Sequence, residues 1–305
     1  MKQVILDVDT GIDDALAIAY ALHSQELDLL ALTTCYGNIA VDEATRNSLC
    51  LTDLLGKEVP VYTGAAMPLS GIERKAYSTH VHGDNGIGNA VMSPPKRKAA
   101  EGHAADYMIE MTRSRPKQIT LIMVGPLTNL ALAIQKDPQI VELVEQVVIM
   151  GGAVRVPGNV TPVAEANIFA DPLAAELVFQ SGIPITLVGL DVTMQTLLPR
   201  KQLQVWKEHG SVQGAFMSDM TTFYMDFYES CYPGIGGCGL HDPLAVGVVI
   251  NPDFVTLEKM HVKVITSGDE IGRTVEVIGQ EPNMQVCVAV EKDKFLGHFL
   301  SRVIK

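Results

Sequence analysis

Short apolar runs alternate with amphipathic stretches along the first two thirds of the chain. Residues 4–6, 29–34, 119–124, 147–150 and 185–188 are compact runs rich in Val, Ile and Leu, the composition of strands buried on both faces. Between them, residues 14–23, 41–55, 102–112, 127–134 and 173–180 carry apolar positions at helical spacing. Strands alternating with helices predict βαβ units with right-handed crossovers. The fold class that follows is α/β, a mainly parallel open sheet flanked by helices.

Punctuation agrees with this division. Asp171-Pro172 and Asp242-Pro243 each place an acid at a helix N-cap before a proline at the first helical position. Gly182 follows a helix ending near Ser181, where a C-terminal glycine belongs. Residues 199–232 read as mainly helical and rich in Met and aromatics. Residues 261–266, 274–278 and 284–290 turn β-like, and a helix over 293–303 closes the chain. Two stretches, 65–98 and 152–166, read as long loops carrying Gly, Pro, His and Asn, and loops of that length are often functional. No repeat, low-complexity tract or linker interrupts the pattern, so residues 1–305 are expected to form a single domain.

The chemistry begins where the first strand ends. Asp7, Asp9, Asp13 and Asp14 place four carboxylates within eight residues, between a buried strand and a helix. This is the carboxyl edge of a parallel strand, where open α/β sheets bind ligands. Two-residue spacing puts Asp7 and Asp9 on one face of an extended chain. Asp13 and Asp14 start the next helix, whose dipole favours anions. Charges this close repel unless some are protonated or a cation holds them. Oxygen ligands favour a hard ion, Ca²⁺ or Mg²⁺. An EF-hand is excluded, because its sixth and twelfth positions counted from Asp7 hold Ile12 and Ile18. The DxD pair is also similar to the first motif of haloacid-dehalogenase-type phosphatases, but Gly11 stands where that motif wants Thr or Val. A metal-dependent phosphohydrolase is therefore the alternative reading.

Composition narrows the classes further. The 305 residues are 47% hydrophobic and 19% charged, which excludes a disordered chain. A formal charge of −12 opposes nonspecific binding to nucleic acid or anionic lipid, and Lys96-Arg97-Lys98 is too short to reverse it. Cys35, Cys50, Cys231, Cys238 and Cys287 are odd in number and lack CxxC spacing, which predicts reduced thiols rather than disulfides or a zinc ribbon. Neither a signal-peptide pattern nor a membrane-length apolar run is present, so a cytoplasmic location is expected.

The pattern Asp-x-Asp-x-Gly-x-Asp-Asp after an N-terminal strand resembles the inosine–uridine-preferring nucleoside hydrolase family. Further segments carry the resemblance in order along nearly the whole chain. They are Gly37-Asn38, His80-Val81-His82-Gly83-Asp84-Asn85-Gly86, Val124-Gly125-Pro126-Leu127-Thr128-Asn129 and Met150-Gly151-Gly152. Gly158-Asn159-Val160-Thr161-Pro162, Glu165-Ala166-Asn167-Ile168-Phe169-Ala170-Asp171-Pro172 and Leu240-His241-Asp242-Pro243-Leu244-Ala245 follow.

The resemblance implies the nucleoside hydrolase fold and hydrolysis of ribonucleosides, inosine and uridine among them, to ribose and free base. It implies one Ca²⁺ per subunit, held by Asp9, Asp14, Asp242 and the Val124 carbonyl, with Asp7 supporting that site. Asp13, Asn38, Asn159, Glu165 and Asn167 would bind ribose hydroxyls, with Met150 against the sugar. Asp9 is expected to activate a water held on the Ca²⁺, and His241 to protonate the departing base. His82 is a weaker candidate for contacting the base. Tyr224 and Tyr228, at i and i+4 on one helix face with Phe223 and Phe227 beside them, are candidates for the base pocket. Phe169 is a similar aromatic candidate. A homotetramer and a role in nucleoside salvage also follow from the resemblance. A noncatalytic nucleoside- or Ca²⁺-binding protein is disfavoured because Asp9, Asp13, Asp14, Asp242 and His241 are all present. The preferred base stays open.

Overall fold

The computed structural model describes residues 1–72 and 76–304; residues 73–75, within the predicted loop 65–98, lie outside the described residues. In chain order the strands are β1 (Lys2–Val8), β2 (Leu27–Thr34), β3 (Val61–Thr63), β4 (Ile119–Met123), β5 (Gln146–Met150) and β6 (Ile185–Val188). They continue as β7 (Leu197–Pro199), β8 (Gly237–Gly239), β9 (Val255–Met260), β10 (Val262–Val264), β11 (Thr274–Glu276) and β12 (Met284–Val290). Among the described residues the main sheet has eight strands in the order β3-β2-β1-β4-β5-β6-β12-β9. Every pairing is parallel except that of the edge strand β9 with β12. β7 with β8 and β10 with β11 form two antiparallel ribbons.

Period-two alternation explains how the sheet is covered. Val4, Leu6 and Val8 of β1 enter a core shared with the helices Ile12–His23, His241–Ile250 and Lys292–Val303. Ile5 points the other way, into a second core with the helices Ala104–Ser114, Thr128–Lys136 and Pro172–Phe179. Leu6 has no exposed surface. Truncating such a residue to Ala typically costs about 2–5 kcal/mol through lost burial and the cavity left behind.

The topology also locates the ligand edge. From β1 the chain steps outward through β2 and β3 in one direction and through β4, β5 and β6 in the other. The loops leaving β1 and β4 therefore diverge, which opens a crevice at the carboxyl ends of adjacent parallel strands.

Several expectations are modified. Asp171 caps its helix as predicted, accepting from Ala174 N at 3.0 Å. Asp242 does not cap: its helix starts at His241, Leu240 occupies the N-cap, and Asp242 lies in the first turn facing the other acids. The segment 65–98 contains a short helix, Thr79–His82, and 152–166 is irregular up to the helix Ala166–Ala170. Residues 199–232 form two helices, Lys201–Glu208 and Val212–Cys231, broken near Gly210 at φ +76°. β9 escapes the apolar pattern because it is an edge strand whose polar residues face solvent.

Candidate active site

At the crevice between β1 and β4 lies a cleft of about 430 Å³. Asp13, Asn38, His82, Val124, Met150, Asn159, Glu165, Asn167, Tyr224, Tyr228, His241 and Asp242 all line it. Sequence positions spread over more than two hundred residues thus converge on one concavity. Asp9 and Asp14 are buried and do not reach the cleft lining. Phe227 and His80 reach the wall, whereas Phe223 and Phe169 do not line it. Phe169 instead packs at Gly272.

The acidic loop is held by backbone donors. Asp14 lies in the first turn of the helix Ile12–His23 and accepts from Asp9 N at 3.0 Å, Gly11 N at 2.8 Å and the Asn38 amide at 3.2 Å. Asp9 accepts from Asn38 N at 2.7 Å through Oδ2. Its Oδ1 is buried with no hydrogen-bond partner among the described residues. Gly37 makes this approach possible, since a Cβ there would stand 1.9 Å from Asp9 Oδ2. Asp7 stays within β1, accepting from Thr33 Oγ1 at 2.5 Å and the Asn129 amide at 2.8 Å, whereas Asp9 lies past the strand end.

Electrostatics make this cluster costly alone. Burial first, and the neighbouring Asp14 next, push Asp13 up to about 8. Burial is likewise the main cause that raises Asp9 well above the usual carboxylate range, with repulsion from Asp14 second. Asp242 is raised well above that range by burial and then by Asp13, Asp14 and Asp9. Oxygens of Asp13, Asp14 and Asp242 lie within 4.8 Å of one another. An all-oxygen acidic set, a buried carboxylate oxygen without a donor and strongly disfavoured ionisation together fit a hard divalent cation. Val124, the expected carbonyl ligand, is at the cleft, and its oxygen accepts from the Asn167 amide at 2.8 Å.

The sugar-side candidates are also structural. Glu165 caps the helix Ala166–Ala170, accepting from Asn167 N at 2.9 Å and Ile168 N at 3.1 Å, and it also accepts from Gly152 N at 2.9 Å. Asn167 donates to Val124 O and, at 3.2 Å, to Met150 O, so one amide bridges the ends of β4 and β5. Asn159 Oδ1 accepts from Ala166 N at 3.0 Å.

Beside the acidic loop the lining is aromatic, and Tyr224 Oη donates to Asp13 Oδ2 at 3.5 Å. His82 Nδ1 accepts from Ile12 N at 3.1 Å, which leaves its hydrogen on Nε2. Burial lowers its pKa to about 3, so the ring is neutral. Its ring stacks on Tyr224 with centroids 5.5 Å apart. Tyr224 and Tyr228 pack edge to face at 4.9 Å. Tyr228 Oη lies 2.5 Å from His241 Nε2, and His241 Nδ1 lies 2.7 Å from Thr193 Oγ1. Burial lowers His241 to about 4.

Sequence reasoning gave no role to Thr193, Gly37, Gly239 or Asn129. Gly37 and Asn129 stood within motifs that carry the family resemblance, whereas only their contacts mark Thr193 and Gly239. Among the described residues no lysine or arginine lines the cleft, which removes the support a phosphate ester would need. The five cysteines are free; Cys231 is exposed and touches the cleft mouth. No described helix is long and apolar enough to cross a membrane.

Comparison with known proteins gives a consistent set of likenesses. Residues 4–297 match the description "inosine-uridine preferring nucleoside hydrolase". The chain is 43% identical over 279 residues to uridine nucleosidase 1 of Arabidopsis thaliana, covering 90% of this chain and 81% of that one. It is 37% identical over 301 residues to the pyrimidine-specific ribonucleoside hydrolase RihB of Escherichia coli O157:H7, covering 97% and 95%. Among solved structures, the purine-preferring ribonucleoside hydrolase from Gardnerella vaginalis superposes with a TM-score of 0.96 at 42% identity, covering 99% of this chain and 98% of that one.

Proposed function

Because the chain belongs to the inosine-uridine preferring nucleoside hydrolase family, and so hydrolyses the N-glycosidic bond of ribonucleosides, we propose that the β1–β4 cleft is where it does so and that its residues divide the work as follows. The observation that carries this reading is the make-up of the cleft lining. Carboxylates and amides stand beside neutral imidazole and aromatic groups, with Tyr224 Oη 3.5 Å from Asp13 Oδ2, and the two sets suit the two parts of a nucleoside.

The transition state of ribosidic cleavage has oxocarbenium character, so it needs a nucleophile, negative charge near the sugar and a donor for the departing base. Asp9, Asp14, Asp242 and the Val124 carbonyl would hold one Ca²⁺, with Asp7 supporting the loop. Bound there, the ion would offset the mutual repulsion of the acids and acidify an adjacent water. Asp9 would accept the proton of the water whose oxygen adds to C1′. Asp13, Asn38, Asn159, Glu165 and Asn167 orient the ribose hydroxyls, because amides and carboxylates match groups that both donate and accept. Met150 forms the apolar wall below the sugar. Negative charge concentrated under the ring favours the developing cation.

His241 with Tyr228 donates to the leaving nitrogen, and solvent exchange returns to this pair the proton taken by Asp9. His82, neutral with its hydrogen on Nε2, is a second donor toward the base. Tyr224, Phe227 and Tyr228 offer aromatic faces, which stack on bases whatever their identity. This supports a broad preference that includes inosine and uridine. A homotetramer, a cytoplasmic location, a single domain over residues 1–305 and a role in nucleoside salvage complete the reading.

Separate incubation with inosine, uridine, cytidine and adenosine, with free ribose assayed, tests it. Release by the wild type in Ca²⁺ and loss of at least about a hundredfold in Asp9→Ala are expected. Equal ribose release by Asp9→Ala would overturn the role of Asp9.

A further inference from the structure

Donation from His241 to a departing base requires a defined ring tautomer, and a histidine's tautomer is set by what its other nitrogen meets. His241 Nδ1 meets the hydroxyl of Thr193 at 2.7 Å. Thr193 ends the short helix Leu190–Thr193 beyond β6 and has no exposed surface. Its position is tied to that of His241 through the backbone: Thr196 Oγ1 donates to Thr193 O at 2.8 Å, and Leu240 N donates to Thr196 O at 2.9 Å.

A threonine hydroxyl can donate or accept, but here the choice is constrained. Nδ1 is the sole side-chain partner of Thr193 Oγ1 among the described residues. If Nδ1 carried the hydrogen, the hydroxyl hydrogen of Thr193 would be buried without an acceptor, which is unfavourable. If the hydroxyl donates to Nδ1, every group is satisfied. The ring hydrogen then sits on Nε2, facing Tyr228 Oη at 2.5 Å. Tyr228 accepts it and has its own hydrogen to turn toward the cleft that it lines. Strand β8 leaves room for this pair, since a Cβ on Gly239 would stand 2.6 Å from His241 Nε2 and 2.7 Å from Tyr228 Oη.

We propose that Thr193 is a positioning residue for base departure: its hydroxyl donates to His241 Nδ1, fixes the ring hydrogen on Nε2, and so makes Tyr228 a hydrogen-bond donor rather than an acceptor toward the leaving nitrogen. Thr193 exchanges no proton itself. This rests on the proposed role of His241 in ribonucleoside cleavage.

The full-length protein is compared with Thr193→Val and Thr193→Ser on its best ribonucleoside and on p-nitrophenyl β-D-ribofuranoside, whose phenolate departs without a proton. Thr193→Val lowers kcat on the ribonucleoside by about tenfold or more, as loss of general-acid assistance does. It leaves KM, and turnover of the p-nitrophenyl riboside, within about threefold of wild type, because an interaction made at base departure is the one removed. Thr193→Ser restores ribonucleoside turnover. Equal losses on both substrates, or none on either, overturn the assignment. Ring ¹⁵N spectra of the wild type need no variant: a pyridine-like Nδ1 and a protonated Nε2 on His241 are expected, and the reverse pattern overturns it. Wild-type inactivity on both substrates overturns the hydrolase reading and this role together, whereas an active wild type without the substrate split overturns Thr193 alone.

Discussion

The backbone N–H of Asn38 donates to Asp9 Oδ2 at 2.7 Å, and this bond anchors one oxygen of a carboxylate whose other oxygen is buried without a partner among the described residues. The bond exists because Gly37 has no side chain. A methyl group there would overlap Asp9 Oδ2 at 1.9 Å, and Asp9 is buried.

Gly37→Ala is therefore expected to displace Asp9 while leaving every charge in place. Ribose release should fall by about a hundredfold or more, since misplacement of about 1 Å at a reacting group is enough for that. Thermal unfolding measured alongside separates this from collapse of the fold. Activity within about threefold of wild type would show that the Asp9 position tolerates the shift.

Metal removal gives a second expectation. The carboxylates of Asp13, Asp14 and Asp242 are buried together, and burial and mutual repulsion raise Asp13 and Asp242. Ca²⁺ at about a hundred times its Kd should stabilise the protein by about 2.7 kcal/mol over chelator-treated protein. Asp242→Asn removes one buried negative charge. It should raise the Tm of the metal-free protein and abolish the rise caused by Ca²⁺. A lower metal-free Tm in this variant would contradict repulsion as the cost of the cluster.

Acid sensitivity follows from His82. Its folded pKa, near 3, is below the ordinary value of 6.5, and burial is the first cause. Below 6.5 the unfolded chain takes up a proton that the folded ring refuses. Stability is thus complete above about 6.5 and is lost as pH falls toward 3, with a limiting slope of about 1.4 kcal/mol per pH unit from this one group. Urea denaturation at stepped pH should show a shallower acid limb in His82→Gln. An unchanged slope would mean that the ring is protonated in the fold.

Gly239→Ala tests the room left for the Tyr228–His241 pair. A Cβ at 2.6 Å from Nε2 must separate the two groups or move β8. Turnover of ribonucleosides should drop by about tenfold or more, with a smaller loss on p-nitrophenyl riboside, since donation to the base is the function disturbed. Equal loss on the two substrates would indicate a general disturbance of the cleft.

The sheet was legible because its strands announce themselves locally. β1, β2, β4, β5 and β6 are short apolar runs, and the intervening helices keep their period. The acids of 7–14 were legible for the same reason, as a cluster within one loop behind a buried strand. Asp242 as a helix cap was a local inference that failed: its Asp-Pro pair looks like that of Asp171-Pro172, but the helix starts two residues earlier, at His241, and turns the acid toward the cluster. β9 failed from the opposite cause, because half-exposed polar residues at a sheet edge leave no apolar run to read.

By itself the sequence determined the α/β layering, the acidic turn at the end of β1 and, through ordered motifs, the family and its reaction. Periodicity and motif spacing are properties of neighbouring residues, so one chain suffices to display them. Only the tertiary structure decided that Asp9 has one oxygen anchored by Asn38 N, that Glu165 meets three backbone N–H groups, and that Thr193, 48 residues from His241, faces its Nδ1. Those relationships arise when β1, β4, β5 and β6 bring distant loops to one sheet edge, and a hydrogen bond is decided by where the atoms meet in space, which the linear order of residues does not record.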